Sequence, residues 1–384
     1  MTEAELARGD RDEALDGLRA VAALMVVFYH CGVELELPPF FVPGFTGVHL
    51  FFVLSGYLIS RPFLARMLAG EPLPSWQRYA VRRFVRIYPT YFVALIVFIA
   101  MRFAGHLHAP THSDMLRHAL LIFNWGQPAE FYTINIVMWT LAIEAQFYVI
   151  LPIAAALAHS FGPRRGRLGA LLMVLACVLI GLVSRGLEYS MTLVGQVRFR
   201  LPFSFLDLFA MGILAAYLEL TQATFLRQHL KLRATLLLLA LALLFASNHW
   251  LVSAGGSDWL TPPTLALVCL YPIGICAAFA LIVLGLRSRA RYGVAVLTSS
   301  PLTFIGRISY SIYLYHVGVG YFLLTRLPRG ASLWLGSHQK IYALAQLGPV
   351  IIVSYLAYRA VELPSLRWVE RFSLRAREPK HLTS

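Results

Sequence analysis

The residues of this sequence best suited to chemistry are an arginine and a histidine within one apolar stretch, LDGLRAVAALMVVFYHC at residues 15–31. Arg19 and His30 are eleven positions apart, and eleven steps of about 100° return an α-helix to within about 20° of its starting direction. The two side chains therefore share one helix face, about 16 Å apart along the axis. Ionisable groups in an apolar segment are costly and usually face a bundle interior or a wet cavity. This pair predicts a buried site.

His30 is the natural general base, because a neutral imidazole can remove a proton from a hydroxyl and later protonate a leaving thiolate. Glu144, in WTLAIEAQFY, could hold the other ring nitrogen of His30 and stabilise the imidazolium. The alternative for Glu144 is a structural carboxylate that pairs with an arginine or a hydroxyl. His316, in SYSIYLYH, is the rival base, and we favour His30 because it shares its helix face with Arg19.

Three arginines at helical spacing lie in RYAVRRFVRIYPTY, in a predicted inner loop just before the third apolar run. Arg82, Arg83 and Arg86 could bind phosphate groups, because a guanidinium binds phosphate oxygens bidentately. The alternative is that they only set membrane topology, since basic residues accumulate in cytoplasmic loops. No Walker loop or GxGxxG is present, which argues against a nucleoside triphosphate or a dinucleotide.

The composition indicates that these residues sit in a polytopic membrane protein. Of 384 residues, 58% are hydrophobic and only 14% are charged, far less charge than a soluble chain of this length carries. The net charge of +14 does not indicate nucleic acid, because the basic residues recur at the ends of apolar runs rather than forming one patch. The cysteines have no metal-ligand spacing, so we predict packing roles and no metal site for Cys31, Cys177, Cys269 and Cys276.

Ten apolar runs are long enough to span a bilayer. Lys and Arg are about three times as frequent in alternate connecting segments, which predicts that both termini are cytoplasmic; the sparse outer set includes Arg185. The fold class is therefore an all-α membrane bundle of about ten transmembrane helices. We expect one domain, 1–384, with short cytoplasmic tails at 1–14 and 361–384 and no fused soluble domain. The predicted spans are 15–33, 45–64, 87–104, 134–158, 168–186, 202–220, 232–251, 264–286, 301–324 and 340–360.

Counting 1.5 Å per residue along these spans predicts the depth of each polar group. Arg19 falls near the inner face and His30 in the outer half of the membrane. Glu144 falls about 15 Å below the outer surface, and His316 falls near the depth of His30. Depth alone does not establish which helices touch, but the prediction places Glu144 within hydrogen-bonding reach of His30.

The chain resembles the acyltransferase-3 family of integral membrane acyltransferases. The Arg-ten-His segment at residues 15–31 is the most specific match, and RxxR at Arg83 and Arg86 is the second. The family often has two adjacent acids where this chain has Glu144 followed by Ala145. The other matching segments follow in family order: GVHLFFVLSGYLI at 47–59, WTLAIEAQFYVILP at 139–152, IGRISYSIYLYH at 305–316 and VELPSLR at 361–367.

The resemblance implies a multi-pass O-acyltransferase of a bacterial cytoplasmic membrane. It would move an acetyl or other short acyl group from cytoplasmic acyl-CoA to a hydroxyl of a glycan, a lipid-linked sugar or a macrolide-like metabolite. His30 and Glu144 would be catalytic, and the donor would be held by Arg19, Arg82, Arg83 and Arg86. Some relatives carry a C-terminal hydrolase-like domain, and this sequence ends at Ser384 without one.

A transporter is the alternative function of a different class. In it, the buried arginine, histidine and glutamate would form a proton relay. The absence of paired halves with interrupted helices argues against it, as does the arginine cluster, for which a carrier has no evident use. The sequence leaves open the acceptor, the acyl chain length, the oligomeric state, the oxyanion stabiliser and whether His316 shares the role of base.

Overall fold

The structure is a computed structural model that describes residues 12–32, 35–37, 40–104, 109–126, 133–192, 201–254, 264–287 and 294–375. Nearly all of these residues are helical. The described strands are β1 (Leu35–Leu37) and β2 (Phe40–Val42), which form a short antiparallel hairpin in which Leu35 pairs with Val42. The all-α prediction is confirmed for the body of the protein.

Helices occupy all ten predicted apolar runs. Eight helices in the described ranges are long and apolar enough to cross a bilayer, so the chain is a multi-pass membrane protein. The helices over runs 15–33 and 301–324 do not reach that combination of length and hydropathy. The helices are α1 (Glu13–His30), α2 (Thr46–Ala69), α3 (Trp76–Ala104), α4 (His112–Ala119), α5 (Met138–His159), α6 (Gly166–Thr192), α7 (Leu206–Gln228), α8 (Leu230–Ser253), α9 (Leu265–Arg287), α10 (Val294–Leu297), α11 (Ser300–Arg307), α12 (Ser309–Arg326), α13 (Arg329–Ser337), α14 (Gln339–Ala357) and α15 (Leu363–Arg375).

Two elements differ from the predicted runs. The arginine-rich stretch before run 87–104 is not a loop, because α3 begins at Trp76 and continues through Pro89. The run 301–324 is divided into α11 and α12 at Ile308, whose φ of −98° and ψ of 8° interrupt the helix. A separate π-helical turn, Tyr358–Glu362, joins α14 to α15.

Helix α2 lies at the centre of the bundle, against α1, α5 and α7. It approaches α7 closely because each helix places a glycine in the contact. A Cβ atom added at Gly56 would collide with the carbonyl of Phe209, and one added at Gly212 would collide with the carbonyl of Val53. Small residues allow helix backbones to approach in membranes, where packing rather than the hydrophobic effect drives association.

A buried polar cluster ties α6 to α7 and α9. Arg185 is fully buried and makes an ion pair with Asp207. Its guanidinium also donates to the carbonyls of Ser204, at 2.8 Å, and of Val268, at 3.2 Å. The structure thus corrects the assignment of Arg185 to the outer basic set: the residue is a structural cation held inside the bundle, where an unpaired charge would be costly.

Candidate active site

A cavity of about 100 Å³ opens between α1, α2, α3, α5 and α12. Its charged lining residues are Arg19, Arg83, Arg86 and Glu144; we call it the arginine cavity. Neutral hydroxyls also line it, from Ser55, Thr140, Tyr148, Ser309, Tyr310 and Tyr313. Four residues predicted from the sequence to form a site therefore meet in one space, although they come from three different helices.

Arg19 reaches the arginine cavity from α1, which begins where the Asp12 carboxylate accepts the backbone N–H groups of Ala14 and Leu15. The Arg19 guanidinium lies 3.4 Å from the carboxylate of Asp16, one turn earlier. A cation beside a buried carboxylate is partly neutralised, so Arg19 adds little net charge to the cavity.

The three clustered arginines of α3 have different surroundings. Arg86 pairs with Glu362 at 3.3 Å. Arg83 has no carboxylate within 4 Å among the described residues; its guanidinium carbon lies 5.7 Å and 5.6 Å from the ring centres of Tyr79 and Tyr148. Aromatic faces attract a cation and leave its N–H groups available to a ligand. Arg82 is exposed and does not line the cavity, although the sequence grouped it with Arg83 and Arg86.

Glu144 is held by two hydroxyl groups. Ser55 Oγ, from α2, donates to Glu144 Oε1, and the Tyr148 hydroxyl donates to the same oxygen at 2.9 Å. Tyr148 is one turn further along α5, so one of these bonds is local and the other joins two helices. This is the alternative that the sequence offered, a carboxylate paired with hydroxyls.

His30 and His316 form a hydrogen-bonded pair, with 3.2 Å between His30 Nδ1 and His316 Nε2. His30 Nδ1 also lies 2.9 Å from the Val26 carbonyl, and His316 Nδ1 lies 2.8 Å from the Tyr313 carbonyl. A carbonyl only accepts, so we assign a proton to Nδ1 of both rings. His30 Nδ1–H is then shared between the Val26 carbonyl and the lone pair of His316 Nε2. The lone pair of His30 Nε2 remains available, since no described residue bonds it.

The expected contact between Glu144 and His30 is wrong. No hydrogen bond joins them in the described part of the chain, and both residues have other partners, Ser55 and Tyr148 for Glu144 and Val26 and His316 for His30. Depth along the membrane normal does not determine how a helix is rotated about its axis. Glu144 faces the arginine cavity, whereas His30 lies at the end of α1 and faces α12. The predicted similarity in depth of His30 and His316 is confirmed by their contact.

The histidine pair and the arginine cavity are adjacent across Tyr313. The Tyr313 ring lines the cavity and lies 6.0 Å, centre to centre, from the ring of His316. Its hydroxyl bonds Thr140 Oγ1 at 2.6 Å, which joins α12 to α5. Arg19 and His30 stay about 16 Å apart along α1. The site thus has an arginine end and a histidine end. At the histidine end His316 is buried but His30 is exposed, so the prediction of a buried pair is wrong for His30.

Sequence reasoning missed Ser55, Tyr148 and Glu362 as partners of the site residues. Ser55 and Glu362 both lie in segments that carried the family resemblance, GVHLFFVLSGYLI and VELPSLR. A carboxylate in a tail predicted to be cytoplasmic gave no sign that it would be 2% exposed.

Comparison with known proteins gives a family match over nearly the whole chain. The acyltransferase-3 model, described as "Acyltransferase domain", matches residues 12–359. An "O-acetyltransferase OatA" of Staphylococcus aureus is 22% identical over 376 residues, which cover 91% of this chain and 56% of the relative. A "Peptidoglycan O-acetyltransferase OatA" of Listeria monocytogenes is 30% identical over 154 residues, which cover 36% of this chain and 23% of the relative. The chain thus spans little more than half the length of the first of these relatives. No solved structure matches.

Proposed function

This chain belongs to the acyltransferase-3 family, and from that premise we propose that it is a membrane O-acyltransferase that uses acyl-CoA as donor. The observation that carries the proposal is the two-ended site: an arginine-lined cavity at one end and a histidine with an available ring nitrogen at the other. An acyl donor with phosphates at one end and a thioester at the other matches these two chemistries.

The arginine end would hold the phosphates of the donor. Arg83 is the cavity cation that carries no carboxylate partner in the described residues, so a phosphate can bind it without breaking an ion pair. Arg19 and Arg86 line the same cavity, but each already faces a carboxylate, Asp16 and Glu362 respectively, so they add little net attraction. Arg82 is exposed and does not line the cavity, so we propose no direct contact between Arg82 and the bound donor.

The histidine end would perform the transfer. His30 Nε2 removes the proton from the acceptor hydroxyl, whose oxygen attacks the thioester carbonyl. The C–S bond then breaks, and the Nε2 proton passes to the leaving thiolate, so an ester and a free thiol are formed. General base catalysis of this kind contributes about 10² to 10⁴ in rate. When His30 is an imidazolium, its bond from Nδ1–H to His316 Nε2 becomes charge-assisted and therefore stronger.

We propose the acceptor and the cellular location of this protein from the printed activities of its relatives. Their printed activities are O-acetylation and, in one case, O-acetylation of peptidoglycan. We propose an acetyl group as cargo, a glycan hydroxyl as acceptor and a bacterial cytoplasmic membrane as location. A proton-relay transporter is not supported, because no hydrogen bond links Glu144 to His30 in the residues that the structure describes.

The test is thioester turnover by the purified protein in lipid nanodiscs, with labelled acetyl-CoA and a panel of glycan acceptors. The wild type should transfer label, and His30→Ala should lower kcat by about 10² or more. His316→Ala should lower kcat by a smaller factor, because His316 supports the ring of His30 and leaves Nε2 in place.

His249→Ala is the matched control, since this histidine is exposed on α8 and lies outside the cavity lining. It should transfer label at the wild-type rate. Near-normal turnover by His30→Ala would contradict the assignment of the base. Absence of turnover of acetyl-CoA with every acceptor would contradict the proposed reaction.

A further inference from the structure

The segment that follows α14 brings a buried carboxylate to the edge of the site. The turn Tyr358–Glu362 is π-helical, and such single turns occur frequently at functional sites. Its last residue, Glu362, is 2% exposed. A carboxylate buried to this degree requires a cation and hydrogen-bond donors, because removing a charge from water is costly.

Glu362 obtains these partners from two different helices. Its Oε1 lies 3.3 Å from Arg86 Nη1 on α3, and its Oε2 accepts the hydroxyl of Ser311 on α12 at 3.1 Å. Arg86 lines the arginine cavity, and Ser311 lies five residues before His316 on the same helix. Glu362 therefore contacts both the helix of the arginine end and the helix of the histidine end.

A neighbouring bond fixes the same two helices to each other. The hydroxyl of Tyr310, the residue before Ser311, donates to the carbonyl of Ile87, the residue after Arg86, at 2.9 Å. Helix α15, which follows the turn in the chain, also packs against α3. With two adjacent links, α12 is held to α3 in one position along its length, and His316 is held with it.

The pairing with Glu362 also separates the roles of two nearby arginines. Arg86 is paired with Glu362, whereas Arg83, one helical turn earlier, has no carboxylate within 4 Å among the described residues and lies beside the faces of Tyr79 and Tyr148. An arginine already bound to a buried carboxylate is a poor phosphate ligand, because the phosphate must compete with that carboxylate. Arg83 meets no such competition.

We propose that Glu362 is a positioning residue, which binds Arg86 and Ser311 to hold α12 and His316 in register with the arginine cavity, and so leaves Arg83 to bind the donor. This rests on the proposed acyl transfer. It assigns Arg86 to the framework of the site, although the sequence grouped it with Arg83.

The proposal predicts a split between catalysis and donor binding. Glu362→Gln keeps the size of the side chain but weakens its bonds to both partners, so kcat should fall about tenfold or more while the dissociation constant of CoA stays within about twofold. Arg83→Gln should do the opposite and raise the CoA dissociation constant about tenfold or more. The measurements are calorimetric CoA binding and acetyl-CoA turnover in nanodiscs, with Tm recorded for each variant.

Ser311→Ala keeps the test decisive if Glu362→Gln fails to fold. It removes only the link to α12 and leaves the ion pair between Glu362 and Arg86 intact, so kcat should fall about threefold at unchanged Tm and unchanged CoA affinity. Glu219→Gln is the matched control. Glu219 also accepts a tyrosine hydroxyl, from Tyr57 at 2.7 Å, and pairs with an arginine, Arg61 at 3.0 Å, but it does not line the cavity. It should leave kcat unchanged.

Three results would overturn the proposal. One is a kcat within twofold of wild type in both Glu362→Gln and Ser311→Ala. Another is a rise in the CoA dissociation constant of Glu362→Gln as large as that of Arg83→Gln, which would make Glu362 part of donor binding. A wild type that neither binds CoA nor turns over acetyl-CoA would overturn the proposed function, and this proposal with it. If the wild type is active but Glu362→Gln and Ser311→Ala keep its kcat, this proposal alone is overturned.

Discussion

The cation and the imidazole of the site differ from their neighbours in the partners they have. The guanidinium of Arg83 has no carboxylate within 4 Å among the described residues, and no described residue bonds His30 Nε2, so each end of the site has one such group. Groups that must meet a substrate are expected to lack competing partners, because any such partner would have to be displaced. This distinction assigns chemistry within a set of residues that the sequence could only group together.

Glu144 is the remaining charged residue of the arginine cavity, and its role can be tested by removing the charge alone. Glu144→Gln still offers an amide oxygen, but a neutral acceptor binds the hydroxyls of Ser55 and Tyr148 more weakly than a carboxylate does. The loss of a charge-assisted bond costs about 1.5–3 kcal/mol, so we expect kcat/KM to fall about tenfold or more, and Glu144→Ala to do no better.

Tyr148→Phe, which removes one of the two donors, is the companion variant for Glu144. It should lie between wild type and Glu144→Gln in kcat/KM. Full activity of Glu144→Gln would show that the carboxylate charge is unnecessary.

At the scale of elements, the contact between α2 and α7 determines the position of Ser55, which lies on α2. Gly212→Ala should lower Tm, because the new Cβ would meet the carbonyl of Val53 and the two helices would have to separate. Overpacking of this kind costs about 1–3 kcal/mol. The measurement is thermal unfolding in detergent, followed by tryptophan fluorescence.

Gly336→Ala is the control for that prediction. Gly336 lies in α13, where an added Cβ would meet open space, so the substitution should leave Tm unchanged or raise it, given the higher helix propensity of alanine. Equal Tm values for Gly212→Ala and wild type would mean that α2 and α7 have room to adjust.

At the scale of the whole molecule, the distribution of Lys and Arg predicts an orientation that labelling can check. Ser160 and Ser337 are exposed, and they lie beside segments predicted to be cytoplasmic and external, respectively. With a membrane-impermeant maleimide, Ser337→Cys should react in intact cells, and Ser160→Cys only after permeabilisation. The background should be low, since Cys31, Cys177 and Cys276 are buried and Cys269 is half-buried. The reverse pattern would place both termini outside.

The sequence by itself determined the helices, their order and the chemical character of the site. Length and apolarity of each run are local properties, and a bilayer requires every backbone polar group to be satisfied within the segment, so apolar runs of this length can only be helices. Helical spacing also put Arg19 and His30 on one face, and Arg83 and Arg86 one turn apart, before any contact between helices was known.

Only the tertiary structure decided which of these groups touch. His30 and His316 are 286 positions apart, and their contact, like that between Arg86 and Glu362, depends on how each helix is rotated about its axis. That rotation follows from packing details such as Gly56 against Phe209 and Gly212 against Val53, which no periodicity encodes. Depth along the membrane normal can be predicted, because each residue of a helix adds a fixed rise. The rotation of a helix about its axis cannot, because it depends on how all neighbouring helices pack together. For this reason the sequence could predict a depth for Glu144 but gave it the wrong partner.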